Sequence, residues 1–126
     1  MDKESTDYIT RVVSEFGLPT ISLVGEKASL FAWLLVQHSP DRKFQKKYLE
    51  LMKMANEGDV LPKNIAYLED RILMYENKPQ IYGTQIVKNK STGEWEPYTL
   101  DSSEKVNDLR KSAGLDSLEE YLKTFE

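Results

Sequence analysis

Apolar positions recur along the chain in two rhythms: three or four residues apart over most of its length, and two apart in one stretch near residues 81–100. Residues 8–16 place Tyr8, Ile9, Val12, Val13 and Phe16 on one helical stripe, which Gly17 and Pro19 bring to an end. From about Gly25 to His38 the pattern differs. Ala28, Leu30, Phe31, Trp33, Leu34, Leu35 and Val36 are apolar nearly all round, which predicts a helix buried on most sides as the central element. Ser39 and Pro40 then read as the N-cap and first position of a third helix. Its inward face is Phe44, Tyr48, Leu51, Met52 and Ala55, and it ends near Gly58. Pro62 opens a fourth helix to about Tyr75, with Ile65, Leu68, Ile72 and Tyr75 inward, and Asn77 and Pro79 close it.

The rhythm changes at Ile81. Ile81–Val87 and Trp95–Leu100 are rich in β-branched and aromatic residues and flank Asn89-Lys90-Ser91-Thr92-Gly93, which predicts a β-hairpin. Pro97 lacks an amide donor, so its strand is an edge. Two short helices follow, with Asp101/Glu104 and Asp116/Glu119 at capping-box spacing and Gly114 between them. Leu118, Tyr121, Leu122 and Phe125 give the last an apolar face. The expected fold is mainly α: a single compact helical domain over residues 1–126, with five to six helices and one β-hairpin near residues 81–100.

Composition narrows the chemistry. Among 126 residues there is no cysteine and a single histidine, so a thiolate or multi-histidine metal site within one chain is excluded. With 17 basic against 21 acidic residues the net charge is −4, a poor basis for nonspecific nucleic-acid binding. The first residues are polar and acidic, unlike a signal peptide, and the longest apolar run, Leu30–Val36, is too short to span a bilayer. The expectation is a cytoplasmic protein that contacts no membrane, binds no nucleic acid and uses no cofactor. No phosphate loop, GxSxG elbow, HExxH motif or EF-hand loop occurs.

Three places remain where chemistry could reside. His38 lies one turn after Leu34 and two after Phe31, in the last turn of its helix. It reads either as a histidine capping the helix end or as a general acid or base. Asp70 and Arg71 are neighbours, pointing about 100° apart on a helix. Asp70 lies off the inward stripe, so the plain reading is a solvated pair or a tie to a neighbouring helix. In Gln80-Ile81-Tyr82-Gly83-Thr84-Gln85, polar side chains surround a glycine at a strand entry. That segment reads equally as an ordinary strand start or as one that contacts a ligand.

Taken in order, Val36-Gln37-His38, Ala66-Tyr67-Leu68-Glu69-Asp70-Arg71 and Pro79-Gln80-Ile81-Tyr82-Gly83-Thr84-Gln85 resemble a bacterial family of uncharacterised proteins. Its members share the ordered motifs VQH, AYLxDR and Q-x-YGTQ. A weaker tail of Asp108, Arg110, Gly114-Leu115 and Tyr121 extends the likeness. The resemblance singles out Gln37, His38, Asp70, Arg71, Gln80, Tyr82, Gly83, Thr84 and Gln85 as a shared polar set.

These readings combine into a small-molecule pocket at the ends of the second and fourth helices and the first hairpin strand. In its enzymatic form, a metal-independent hydrolase or transferase, His38 is the general acid or base and Asp70 orients it. Arg71 binds an anionic group, and Gln37, Gln80, Tyr82, Thr84 and Gln85 hold the ligand. Two alternatives stand beside it: a binder that sequesters a small anionic metabolite, and an inhibitor-like or immunity-like module whose partner is a protein, engaged through Trp95 and Tyr98.

Overall fold

The helical and strand rhythms are realised, in a computed structural model, as seven helices and one hairpin among the described residues. The order is α1 (Lys3–Phe16), α2 (Ile21–Val24), α3 (Glu26–Gln37), α4 (Arg42–Met54), α5 (Pro62–Tyr75), β1 (Ile86–Lys88), β2 (Trp95–Pro97), α6 (Val106–Ser112) and α7 (Leu118–Lys123). The structure describes residues 3–55 and 58–125, without the side chains of residues 3–6 and of Phe16. The place assigned to Phe16 on the first stripe therefore lies outside the described residues. The protein is mainly helical, as expected, and its contacts group residues 1–65 and 66–126 into two compact units.

In the first unit α3 packs against α1, α2 and α4, the central position its apolar sequence predicts. Ile9 and Val13 of α1, Trp33, Leu35 and Val36 of α3, and Phe44, Tyr48, Leu49 and Met52 of α4 form the core. Burial of α3 is one-sided, however. Phe31 is 64% exposed, with Leu30 and Leu34 also exposed, so the expectation of cover on most sides is corrected. The one-turn α2, which no sequence rhythm announces, is latched to the loop before α5. The Ile21 amide donates to the Asp59 carbonyl at 3.0 Å, and the Ser22 amide and hydroxyl donate to the Asp59 carboxylate at 3.0 and 2.8 Å.

The entry to α4 differs from the expected Ser39–Pro40 cap. Asp41 is the N-cap, its carboxylate accepting from the Phe44 amide at 3.0 Å, and the Ser39 hydroxyl instead accepts from the Asp41 amide at 3.1 Å. Two polar residues thus share the turn between α3 and α4, and the helix starts two residues later than Pro40.

In the second unit β1 and β2 pair antiparallel, Ile86 with Pro97 and Lys88 with Trp95. The Asn89 side chain accepts from the Ser91 and Thr92 amides, an Asx turn that shapes the loop. The strands are shorter than expected because residues 81–84 leave the ladder: side chains take the amides of Ile81, Tyr82 and Thr84 and the carbonyls of Tyr82, Gly83 and Thr84, while Gln80 keeps a single bridge to Leu100. α7 packs on β2, with the Trp95 and Phe125 rings 5.7 Å apart and Tyr121 edge-on to Phe125 at 5.2 Å. The expected aspartate caps are replaced as well. Ser117 caps α7 by accepting from the Glu120 amide, while the N-cap of α6, Lys105, makes no side-chain cap bond.

Candidate functional site

The residues singled out by sequence divide between the units: Gln37 and His38 lie in the first, and Asp70 to Gln85 in the second. Each set has its own architecture.

Asp70 is fully buried, not solvated. Its carboxylate accepts from the amides of Ile81 (2.8 Å), Tyr82 (3.1 and 3.2 Å) and Thr84 (3.0 Å), and from the Thr84 hydroxyl (2.8 Å). Four donors fill the roughly four lone-pair positions of a carboxylate. Asp70 therefore organises the 81–84 loop, and both its oxygens are engaged in doing so. Gln80, also fully buried, works on the same segment. Its amide nitrogen donates to the carbonyls of Gln85 (3.0 Å) and Tyr98 (2.8 Å), and its oxygen accepts from the Gln85 amide (2.9 Å). The Gln85 side chain donates to the Thr84 hydroxyl at 3.0 Å.

Arg110 completes the clamp. It is 1% exposed, and its guanidinium donates to the carbonyls of Tyr82 (2.9 Å), Gly83 (3.2 Å) and Asp116 (2.6 Å). It also lies over the Tyr121 ring, 4.8 Å from the centroid. Burial pulls its pKa down, while the nearby Tyr67, Tyr121, Asp116 and Asp70 favour the charged form. The Tyr121 hydroxyl donates to the Thr84 carbonyl at 2.9 Å. Burial raises the pKa of that phenol, and its bond with Tyr67 raises it further. Gly83 sits at φ +67, where a Cβ would come within 3.1 Å of Leu118 and 3.3 Å of Val106. The glycine is required by both conformation and space.

Sequence reasoning weighed Arg110 only as part of a weak tail. A usable signal was present: Val106, Arg110 and Ala113 fall at i, i+4 and i+7, so the arginine occupies a place in an apolar stripe, and all three are buried.

Arg71 contrasts with its neighbour. The guanidinium is half-buried, and its one hydrogen bond runs from Nη1 to the Tyr75 hydroxyl at 3.1 Å. Its Nε is buried with no partner, the only such side-chain atom among the described residues of this unit. The Nε–Nη2 edge, which meets a carboxylate or phosphate in a bidentate pair, is thus unengaged.

In the first unit, Gln45 fixes the turn that carries Gln37 and His38. Its amide nitrogen donates to the carbonyls of Val36 (3.1 Å), Gln37 (3.1 Å) and Ser39 (3.0 Å). Val36 and Gln37 end α3 and Ser39 follows its C-cap; the Val36 carbonyl also accepts from the Ser39 amide at 3.0 Å, so Gln45 reinforces a turn that the backbone itself closes. Gln37 is buried, its side-chain oxygen meeting no donor, as is that of Gln45. His38 is the C-cap residue of α3 and is exposed. No cluster of three or more potential metal ligands occurs among the described residues, and no helix there is long and apolar enough to cross a membrane.

Comparison with known families places the whole chain: the model of a family of unknown function, DUF6624, matches residues 1–126. The chain belongs to that family. The family model runs through both units, so the Asp70–Arg110 clamp and the Gln45-fixed turn both lie within the matched DUF6624 region. No curated protein and no solved structure matches the chain.

Proposed function

We propose that this protein binds a small anionic molecule and that the guanidinium of Arg71 is the group that meets it. The observation that carries this reading is the orphaned Nε of Arg71, in a unit whose other buried side-chain polar atoms are paired among the described residues. A charged donor left unpaired away from water is costly, and a ligand carboxylate or phosphate removes that cost through two parallel hydrogen bonds. The clamp around residues 80–85 supports the reading indirectly. By engaging Asp70 with backbone amides, it leaves Arg71 without an adjacent carboxylate partner. Gln80, Thr84 and Gln85 enter this reading as the framework of the loop, and Tyr82 as its half-buried side chain.

The test is a thermal-shift titration with inorganic phosphate, acetate and sugar phosphates on the native protein, Arg71→Gln and Arg71→Lys. Ligand at about 100 times its dissociation constant adds roughly 2.7 kcal/mol of stability. The expected result is a shift lost in Arg71→Gln and only partly kept in Arg71→Lys, which cannot form the planar fork. Equal shifts in all three proteins overturn the reading.

In the catalytic form of the same reading, His38 transfers a proton in a hydrolytic or transfer reaction. Its support is the exposed position of the imidazole on a turn whose backbone Gln45 holds in place. His38→Ala should then abolish turnover of a bound phosphate or carboxylate ester while leaving its binding intact; retained turnover removes the catalytic part.

A protein partner is the second reading, favoured by the exposed apolar side chains of Leu23, Phe31 and Leu34. Capture of a partner lost with Phe31→Ser and unchanged in Arg71→Gln would support it over the anion.

A further inference from the structure

Arg71 has aromatic and apolar neighbours. One helical turn to either side of it, α5 places Tyr67 and Leu68, then Met74 and Tyr75, so none of its four nearest neighbours on the helix surface carries a carboxylate. The Tyr75 hydroxyl accepts from Nη1 at 3.1 Å, which ties that phenol to the guanidinium, and Tyr75 is 38% exposed. Tyr67 is half-buried and already packs against Tyr121, with ring centroids 6.4 Å apart and planes nearly perpendicular. Tyr121 in turn feels the Arg71 charge, which works against the rise that burial imposes on its phenol. The unpartnered Nε thus belongs to a cation bordered by phenol rings and apolar side chains.

A small hydrophilic anion gains only the two hydrogen bonds of the Nε–Nη2 edge. An anion carried on a flat ring gains twice. Its oxygens take that edge, and its ring meets an aromatic side chain, where offset or edge-on contact contributes beyond the area covered. Given Arg71 as the anion-binding group, on which this rests, we propose that the ligand is an aryl oxyanion: a carboxylate or phosphate-type group attached to an aromatic ring. Its oxygens sit on Nε and Nη2 of Arg71 and its ring lies against Tyr75. Tyr75 is the ring assigned because it is exposed and bonded directly to the guanidinium, whereas Tyr67 is half-buried and packed on Tyr121. The same phenol fixes Nη1, so the edge offered to a ligand is the one bearing Nε.

Two pairs of probes compare a flat ring with a saturated one of similar bulk: benzoate with cyclohexanecarboxylate, and phenylphosphonate with cyclohexylphosphonate, whose carbon–phosphorus bonds resist hydrolysis. Each is titrated against ¹⁵N-labelled protein, following the Arg71 Nε–H resonance, which is assigned by its absence from Arg71→Gln. The expected result is saturable binding in which the aromatic member of at least one pair is about 5-fold tighter or more, the responding pair telling carboxylate from phosphate. That preference should persist in Tyr75→Phe and vanish in Tyr75→Leu, which keeps Arg71 and should still saturate. Arg71→Gln, followed through the backbone amides of α5, should bind none of the probes. Equal affinities within both pairs, with binding still dependent on Arg71, overturn the aryl proposal and leave the anion reading standing. A ring preference that survives Tyr75→Leu also overturns it. No saturation of Arg71 by any probe overturns both.

Discussion

Asp70 and Arg110 hold opposite backbone groups of the same loop: the carboxylate takes the amides of Ile81, Tyr82 and Thr84, and the guanidinium takes the carbonyls of Tyr82 and Gly83. Neither charge touches the other directly; the loop backbone lies between them as the shared hydrogen-bonding partner. Each charge is buried, so each depends on those bonds for the solvation it has lost. This arrangement explains why residues 81–84 form no strand.

The first prediction separates two adjacent residues. Asp70→Ala strands four donors in the interior and should cost at least about 3 kcal/mol, measured as a lower urea midpoint. Asp70→Asn keeps the volume but turns an NH2 toward amide donors, so it should recover little of the loss. Arg71→Gln gives up one bond to the exposed Tyr75 hydroxyl and should stay within about 1 kcal/mol of the native protein. Similar losses at the two positions would show that Arg71 is structural, and the anion reading would go with it.

A second prediction concerns Gly83. Alanine there is strained at φ +67 and its methyl would crowd Leu118 and Val106 at 3.1 and 3.3 Å. Gly93, at φ +75, has open space where its Cβ would lie. Gly93→Ala should therefore cost only the backbone term, about 1 kcal/mol, and Gly83→Ala at least about 2 kcal/mol. Paired thermal or urea melts of the two variants check the difference.

Periodicity made the helices legible because it reports which face is apolar. Gly25 and the apolar run after it locate α3 within a residue, and Pro62 marks the start of α5 as expected. What periodicity hides is a polar residue used as core. Along α5 the positions 66, 68, 70 and 72 are all buried, whereas Tyr75, expected inward, is exposed and Ile65 is half-buried, so the stripe of Ile65, Leu68, Ile72 and Tyr75 missed part of the buried face and included a residue outside it. Asp70 falls inside the buried face that the stripe missed. Its partners are backbone amides far along the chain, and amides carry no side-chain signal. The same reasoning explains the hairpin: Ile81 and Tyr82 have strand-forming side chains, but competition from Asp70 and Arg110 for their backbone groups cannot be read from residue type. The exposure of Phe31 was also invisible, because a stripe shows amphipathicity and an all-round apolar helix has none.

A third prediction rests on Gln45. Gln45→Leu keeps an apolar volume in a fully buried position but removes the donor shared by the carbonyls of Val36, Gln37 and Ser39. The expected cost is about 1–3 kcal/mol, with faster amide exchange confined to the last turn of α3 and to Ser39. If the catalytic form of the proposed function holds, the same variant should lower turnover without weakening ligand binding, because it loosens the backbone that carries His38. A loss of stability with no change in exchange around Ser39 would mean that Gln45 acts by filling space and not by capping.

The last prediction is a pH dependence. The Tyr48 phenol is buried, and its folded-state pKa is raised by that burial above the unfolded value of about 10. Below pH 10 both states hold the proton, and the group contributes no slope. Above it the unfolded chain releases the proton while the native state retains it, so the unfolded state binds fewer protons and stability falls as pH rises. The limiting slope is about 1.4 kcal/mol per pH unit from this residue. Burial raises the Tyr121 phenol as well, so the informative quantity is the difference between the native protein and Tyr48→Phe. Urea melts at pH 9, 10 and 11 should show the native protein losing stability faster than the phenylalanine variant, with the gap opening only above about pH 10. Parallel curves across that range would mean that the phenol ionises as readily in the folded protein as in the unfolded chain.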